Sequence, residues 1–179
     1  MSDNETTNKP AEEIIEEIAA KEEAVFDKDL IEEKEVSQPE PEILSLYNRV
    51  QKMSVSEKIK LAMLGNKQAR DILIKDSNKL VSTAVIRNPR IGEDEVLKVV
   101  NSRSVSDDIL RIIANNKEWM KNYHIKWGFV QNPKAPMGIV LRLLSHLTEK
   151  DLQKLAKSKN IPSVVATAAK KIVMQKAHH

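Results

Sequence analysis

The octapeptide Ala84-Val85-Ile86-Arg87-Asn88-Pro89-Arg90-Ile91 returns 44 residues later as Gly128-Phe129-Val130-Gln131-Asn132-Pro133-Lys134-Ala135. Proline lacks the N–H that would continue a helix, and its ring disfavours the α region for the residue before it. Each Asn-Pro therefore ends a helix at a set place and turns the chain. The correspondence extends further: Val81 falls on Ile125, and Val96, Leu97 and Val100 fall on Val140, Leu141 and Leu144. A second register, 50 residues apart, places Ser54–Lys67 on Ser104–Lys117, and a weaker third copy runs through Thr148–Ala156 and Ile161–Ile172. A repeating unit with one apolar face cannot bury that face alone, so copies of it must stack.

Each copy carries helix signals. Ser54 and Glu57 have capping-box spacing; Asn78, Asn122, Thr148 and one of Ser104 and Ser106 suit N-caps, and Pro162 suits a first turn. Apolar residues recur three or four apart, as in Ile109, Ile112 and Ile113. Gly65-Asn66 and Asn115-Asn116 are expected to end their helices through left-handed backbone, which glycine and asparagine tolerate. With four glycines in 179 residues and an apolar complement of mostly Leu, Ile, Val and Ala, helix is favoured over sheet. The expected fold class is all-α.

Charge divides the chain. Residues 1–45 hold 15 Asp/Glu against 4 Lys/Arg, a net of −11, whereas residues 46–179 hold 11 against 25, a net of +14. The composition of residues 1–40, closing on Ser-Gln-Pro-Glu, predicts a disordered acidic arm. Within it Ile14, Ile15, Ile18 and Val25 recur at near-helical spacing among glutamates, so a transient helix is expected over 11–26. Ile14, Ile15 and Ile18 are the residues by which it would dock on the body or on a partner.

The stretches Val81-Ser-Thr-Ala-Val-Ile-Arg-Asn-Pro-Arg-Ile91 and Ile125-Lys-Trp-Gly-Phe-Val-Gln-Asn-Pro-Lys-Ala-Pro136 resemble the leucine-rich repeat variant signature, and the helix pairs are similar to HEAT and armadillo repeats. The resemblance covers residues 55–172. It implies a right-handed α-α superhelix of about four to five helical hairpins over residues 41–177, used for binding, usually of proteins and sometimes of nucleic acid. That family's founding example carries an iron–sulfur cluster on cysteines. This chain has no cysteine, which excludes such a cluster along with disulfides and thiolate chemistry.

Other chemistry finds little support. His124, His146, His178 and His179 lack metal-ligand spacing, and there is no glycine-rich phosphate loop. Asp107-Asp108 and Glu93-Asp94-Glu95 stand at helix starts, where they serve the helix dipole. No catalytic residue, metal or cofactor is assigned. The sequence has no apolar run of about 18 residues and no signal-peptide core, so a cytoplasmic location away from membranes is expected.

Four of the six aromatic residues, Trp119, Tyr123, Trp127 and Phe129, lie among Lys117, Lys121 and Lys126. Phe129 matches Val85 and belongs to the core. Tyr123 and Trp127 match Lys79 and Thr83, so they either fill space in a shortened copy or grip a partner. The candidate binding groove comprises Lys79, Arg87, Tyr123, Lys126, Trp127, Lys170 and Lys171. The function expected is that of a monomeric, non-catalytic scaffold binding another, unidentified protein. A body of +14 also suits nucleic acid, as in HEAT-like solenoids resembling alkylpurine DNA glycosylases, with an enzyme of that kind a distant third.

Overall fold

The computed structural model describes residues 9–21, 25–33 and 40–177, with the side chains of 40–43 and 177 outside the description. The described residues are all-helical, with no strand among them. The chain divides into two compact units, Met1–Ile91 and Gly92–His179, where the sequence suggests one repeat domain over 41–177. The division redistributes the charge: residues 1–91 carry 14 Lys/Arg against 18 Asp/Glu, a net of −4, and residues 92–179 carry 15 against 8, a net of +7.

The first unit contains α1 (Ala11–Ala20), α2 (Lys28–Ile31), α3 (Glu40–Gln51), α4 (Val55–Leu64), α5 (Lys67–Leu73) and α6 (Lys79–Ile86). Helix α4 starts at the capping box: Ser54 Oγ accepts from the Glu57 N–H, and the Glu57 carboxylate accepts from the Ser54 N–H at 2.8 Å. It packs on α6, which is buried at every position from Val81 to Ile86. Two polar residues are enclosed there, Ser82 and Thr83, and the Ser82 hydroxyl donates back to the Lys79 carbonyl at 3.3 Å, which satisfies it.

The second unit contains α7 (Glu93–Asn101), α8 (Asp107–Asn115), α9 (Tyr123–Gln131), α10 (Met137–Leu143), α11 (Glu149–Lys157) and α12 (Ser163–Ala177), with short 3-10 turns at Trp119–Lys121 and Leu144–His146. Helix α9 packs on α7, and α11 packs on α12. Gly128 lies at the first of these contacts, where a β-carbon would stand 3.0 Å from Val100 Cγ2 and 2.6 Å from Asn101 Oδ1, both side-chain atoms. Asn78, Asn122 and Thr148 cap their helices as their positions suggest. The start of α8 falls at Ser106, whose hydroxyl makes no capping bond.

In both copies of Asn-Pro the asparagine is buried and the proline exposed. Asn88 donates through Nδ2 to the Ala62 and Met63 carbonyls at 2.8 and 2.9 Å, and its Oδ1 accepts from the Arg90 N–H at 2.8 Å. Asn132 donates to the Val100 and Ser102 carbonyls at 2.7 and 3.0 Å and accepts from the Lys134 N–H at 2.9 Å. Each amide thus clasps the C-terminal carbonyls of an earlier helix, α4 or α7, which have no partner inside their own helix.

The left-handed helix ends expected at Gly65-Asn66 and Asn115-Asn116 are not formed. Gly65 has φ −65° and ψ 157°, and Asn116 has φ −82° and ψ 107°. Glycine is needed at 65 for proximity: a β-carbon would lie 2.5 Å from the Leu61 carbonyl oxygen and 2.9 Å from Ala69 Cβ. Asn66 is instead the N-cap of α5, its Oδ1 accepting from the Ala69 N–H at 3.0 Å.

Candidate interaction site

The acidic segment read from composition as disordered contributes two packed helices to the first unit. Helix α1 lies against α4 and α6. Among the proposed docking residues, Ile15 is buried while Ile14 and Ile18 are half-buried. Glu12 of α1 pairs with Arg87, so this member of the candidate groove is already engaged by the arm. The helix is shorter than the expected 11–26: it ends at Ala20, and Val25 is 96% exposed. Residues 1–8, 22–24 and 34–39 of the arm lie outside the described residues.

The second packed stretch, Asp27–Glu33, is held more closely. Leu30 is 1% exposed. Its carbonyl accepts from the Asn66 N–H at 2.7 Å, and Asn66 Nδ2 donates to the Asp29 and Glu32 carbonyls at 2.7 and 2.9 Å. Arg49 reaches Asp29 at 2.7 Å and also pairs with Asp27. The Glu33 carboxylate accepts from the Lys67 N–H at 3.0 Å and from the guanidinium of Arg70, also at 3.0 Å. Asn66 and Arg70 are themselves buried, and Arg70 is further held by donating to the Gly65 carbonyl at 2.9 Å. Asn66 therefore repeats in the α4–α5 turn the clasp made by Asn88 and Asn132, with α2 as the helix clasped.

In the second unit the rings at 123 and 127 are committed to α11. The Tyr123 hydroxyl donates to Asp151 Oδ2 at 2.6 Å and accepts from the Thr148 N–H at 3.2 Å. Lys154 reaches Asp151 Oδ1 at 2.8 Å and stands 5.7 Å from the centre of the Trp127 ring, within cation–π range. Lys154 and Tyr123, with Thr148, hold the Asp151 carboxyl well below its usual range, at about 2. Such a lowered carboxyl stabilises the fold above its unfolded value, about pH 4, and that contribution fades as pH falls toward 2. Asp151→Asn should cost on the order of 1 kcal/mol at neutral pH, a modest figure because Lys154 is half exposed to screening water. Denaturant midpoints of the variant and the parent should converge on acidification; a constant gap would mean the charge is not what stabilises the clasp.

The remaining groove residues are placed as follows. Lys79 is exposed at the start of α6 in the first unit. Lys126 is half-buried on α9, and Lys170 and Lys171 are exposed on α12. The seven candidates thus belong to two units: Lys79 and Arg87 to the first, the other five to the second. Sequence reasoning missed Asn66, Arg70, Arg49 and Leu30. The signal for them was faint, since nothing local links an asparagine at 66 to carbonyls at 29 and 32. Among the described residues no group of three acidic or histidine side chains could hold a metal ion, and no helix is long and apolar enough to cross a membrane. No family model, curated protein or solved structure matches the chain.

Proposed function

We propose that the chain is a non-catalytic interaction module, a helical scaffold of the leucine-rich-repeat-variant or HEAT-like kind whose stacked helix pairs form a right-handed superhelix that holds another protein. The observation that carries this reading is the way the first unit holds Asp27–Glu33. An apolar socket for Leu30, a buried amide for peptide carbonyls and a buried guanidinium for a carboxylate are the ingredients of a protein-binding surface. The net +7 of residues 92–179, with Lys170 and Lys171 exposed, adds attraction for acidic partners. A monomer in the cytoplasm fits this role.

The same +7 favours nucleic acid as the second reading. Lys154 stands over the Trp127 ring and the Tyr123 hydroxyl is bound to Asp151, so neither of the groove's two rings is free to turn toward a base. The protein reading is therefore preferred. Affinity capture from the native organism with the full chain, with and without nuclease, tests it, together with titrations against single-stranded DNA and RNA at two salt concentrations. The expected result is a protein retained through nuclease treatment, with nucleic-acid binding that is weak and collapses as salt rises. Capture abolished by nuclease, with tight and salt-resistant DNA or RNA binding, would replace the protein reading.

A further inference from the structure

We infer that the surface holding Asp27–Glu33 is a receptor for an acidic, leucine-anchored peptide segment of a partner protein, and that the chain's own segment occupies it as a built-in competitor. This rests on the protein-binding reading above and specifies the partner's chemistry.

The receptor reads features that any peptide of this type would carry. Asn66 addresses three backbone carbonyls, those of Asp29, Leu30 and Glu32, and so places no demand on side-chain identity. Specificity comes from three elements around it. One enclosed leucine sets the anchor. Carboxylates at the first and third positions meet Arg49, and a carboxylate three residues after the leucine meets Arg70 and the Lys67 N–H. The two central receptor groups keep their place without the segment: Asn66 by capping α5, Arg70 by its bond to the Gly65 carbonyl. A preformed socket limits the ordering cost that an incoming peptide must meet.

The present occupant is weakly qualified. Helix α2 has four residues, far too few to be stable in isolation, and encloses a single side chain. Asp27, Asp29 and Glu33 are partly solvated, at 75%, 37% and 51% side-chain exposure, so their pairs are screened by salt. Tethering compensates, because an attached segment acts at high effective concentration. A partner offering the same anchor with additional contacts displaces it, whereas a short or weakly acidic segment does not.

The probe is a labelled synthetic peptide of residues 25–33, Val-Phe-Asp-Lys-Asp-Leu-Ile-Glu-Glu, titrated against the full chain and against the full-length double variant Asp29→Ala, Glu33→Ala. Those two carboxylates are partly exposed, so the variant loosens the segment while leaving Leu30 in place. The peptide should bind the double variant at least about tenfold more tightly than the parent, since its tethered competitor is weakened. Adding Arg70→Met should remove most of that binding, and a peptide with aspartate in place of its leucine should not compete. The variant Leu30→Asp, accompanied by thermal melts to verify folding, should show the larger gain of the two. Equal affinity for parent and double variant, or binding indifferent to Arg70→Met, overturns the proposal. So does a concentration-dependent dimer of the parent that the peptide dissociates, which would make a second copy the occupant. A captured partner that this peptide fails to displace leaves the scaffold reading standing and refutes this one.

Discussion

Replacing Asn132 by alanine is expected to lower the stability of its unit by about 2–3 kcal/mol, because the change strands one buried carbonyl, one part-buried carbonyl and one N–H at roughly 1 kcal/mol apiece. Asn88→Ala should cost somewhat less, about 2 kcal/mol, since the Met63 carbonyl keeps the Arg90 guanidinium at 3.2 Å. The neighbouring prolines are exposed and contribute through the turn alone, so Pro89→Ala should cost only about 1 kcal/mol by freeing the unfolded chain. This ranking inverts the ordinary intuition that proline is the structural half of an Asn-Pro pair. Asparagine is required as the donor: Asn132→Asp keeps the acceptor for the Lys134 N–H but aims an anionic oxygen at the Val100 and Ser102 carbonyls. The aspartate variant should be the least stable at neutral pH. Its carboxyl, disfavoured as an anion, has a folded pKa above its unfolded one, so the deficit shrinks as pH falls into the carboxyl range and the protonated acid donates again. Denaturant melts with site-resolved amide exchange would measure this. An Asn132→Ala variant as stable as Pro133→Ala would show that the clasp is incidental.

The legible part of this molecule was the part encoded locally. Asn-Pro ends a helix through the proline ring itself, and the Ser54–Glu57 box closes within four residues, so both could be read without knowing the fold. The clasp was hidden because its partners lie 25 to 32 residues upstream. The packed helices within residues 9–33 were illegible for a related reason. Composition over forty residues is dominated by glutamates, while Leu30 needs only one place to be enclosed, and its backbone is bound by Asn66, far along the chain. The candidate groove suffered from treating charge as a property of the whole body. Arg49, Arg70 and Arg87 are each met by a carboxylate from the arm, so three of the positive charges behind the +14 read for residues 46–179 are paired within the first unit. The purpose of Tyr123 and Trp127 stayed open for the same reason: their partners Asp151 and Lys154 sit in the next copy, at a distance periodicity does not report.

Gly65→Ala is expected to destabilise the first unit by about 2 kcal/mol and to loosen the acidic segment along with it. Alanine elsewhere at a backbone of φ −65° would be welcome, gaining about 0.4–1 kcal/mol by restricting the unfolded chain. Here its β-carbon would meet the Leu61 carbonyl at 2.5 Å and Ala69 Cβ at 2.9 Å. Both obstacles are rigid, a backbone oxygen inside α4 and the first turn of α5, so the two helices must separate. Gly128→Ala makes a useful contrast. Its nearest obstacle is the amide of Asn101, an exposed side chain free to rotate, and the other is Val100 Cγ2 at 3.0 Å. There the helix-propensity gain of about 1 kcal/mol offsets most of the crowding, and the net change should be small. The effect at 65 should travel along the chain because Gly65 supports both receptor groups: its carbonyl holds Arg70, and the residue after it is Asn66. A shift of a few tenths of an ångström there breaks the register with the Asp29 and Glu32 carbonyls. Amide exchange should therefore show lost protection at residues 30–32 even under conditions where α4 and α6 remain protected. If Gly65→Ala lowers the denaturant midpoint while leaving protection at those residues unchanged, the segment is held by Leu30 alone and the asparagine clasp contributes nothing to it.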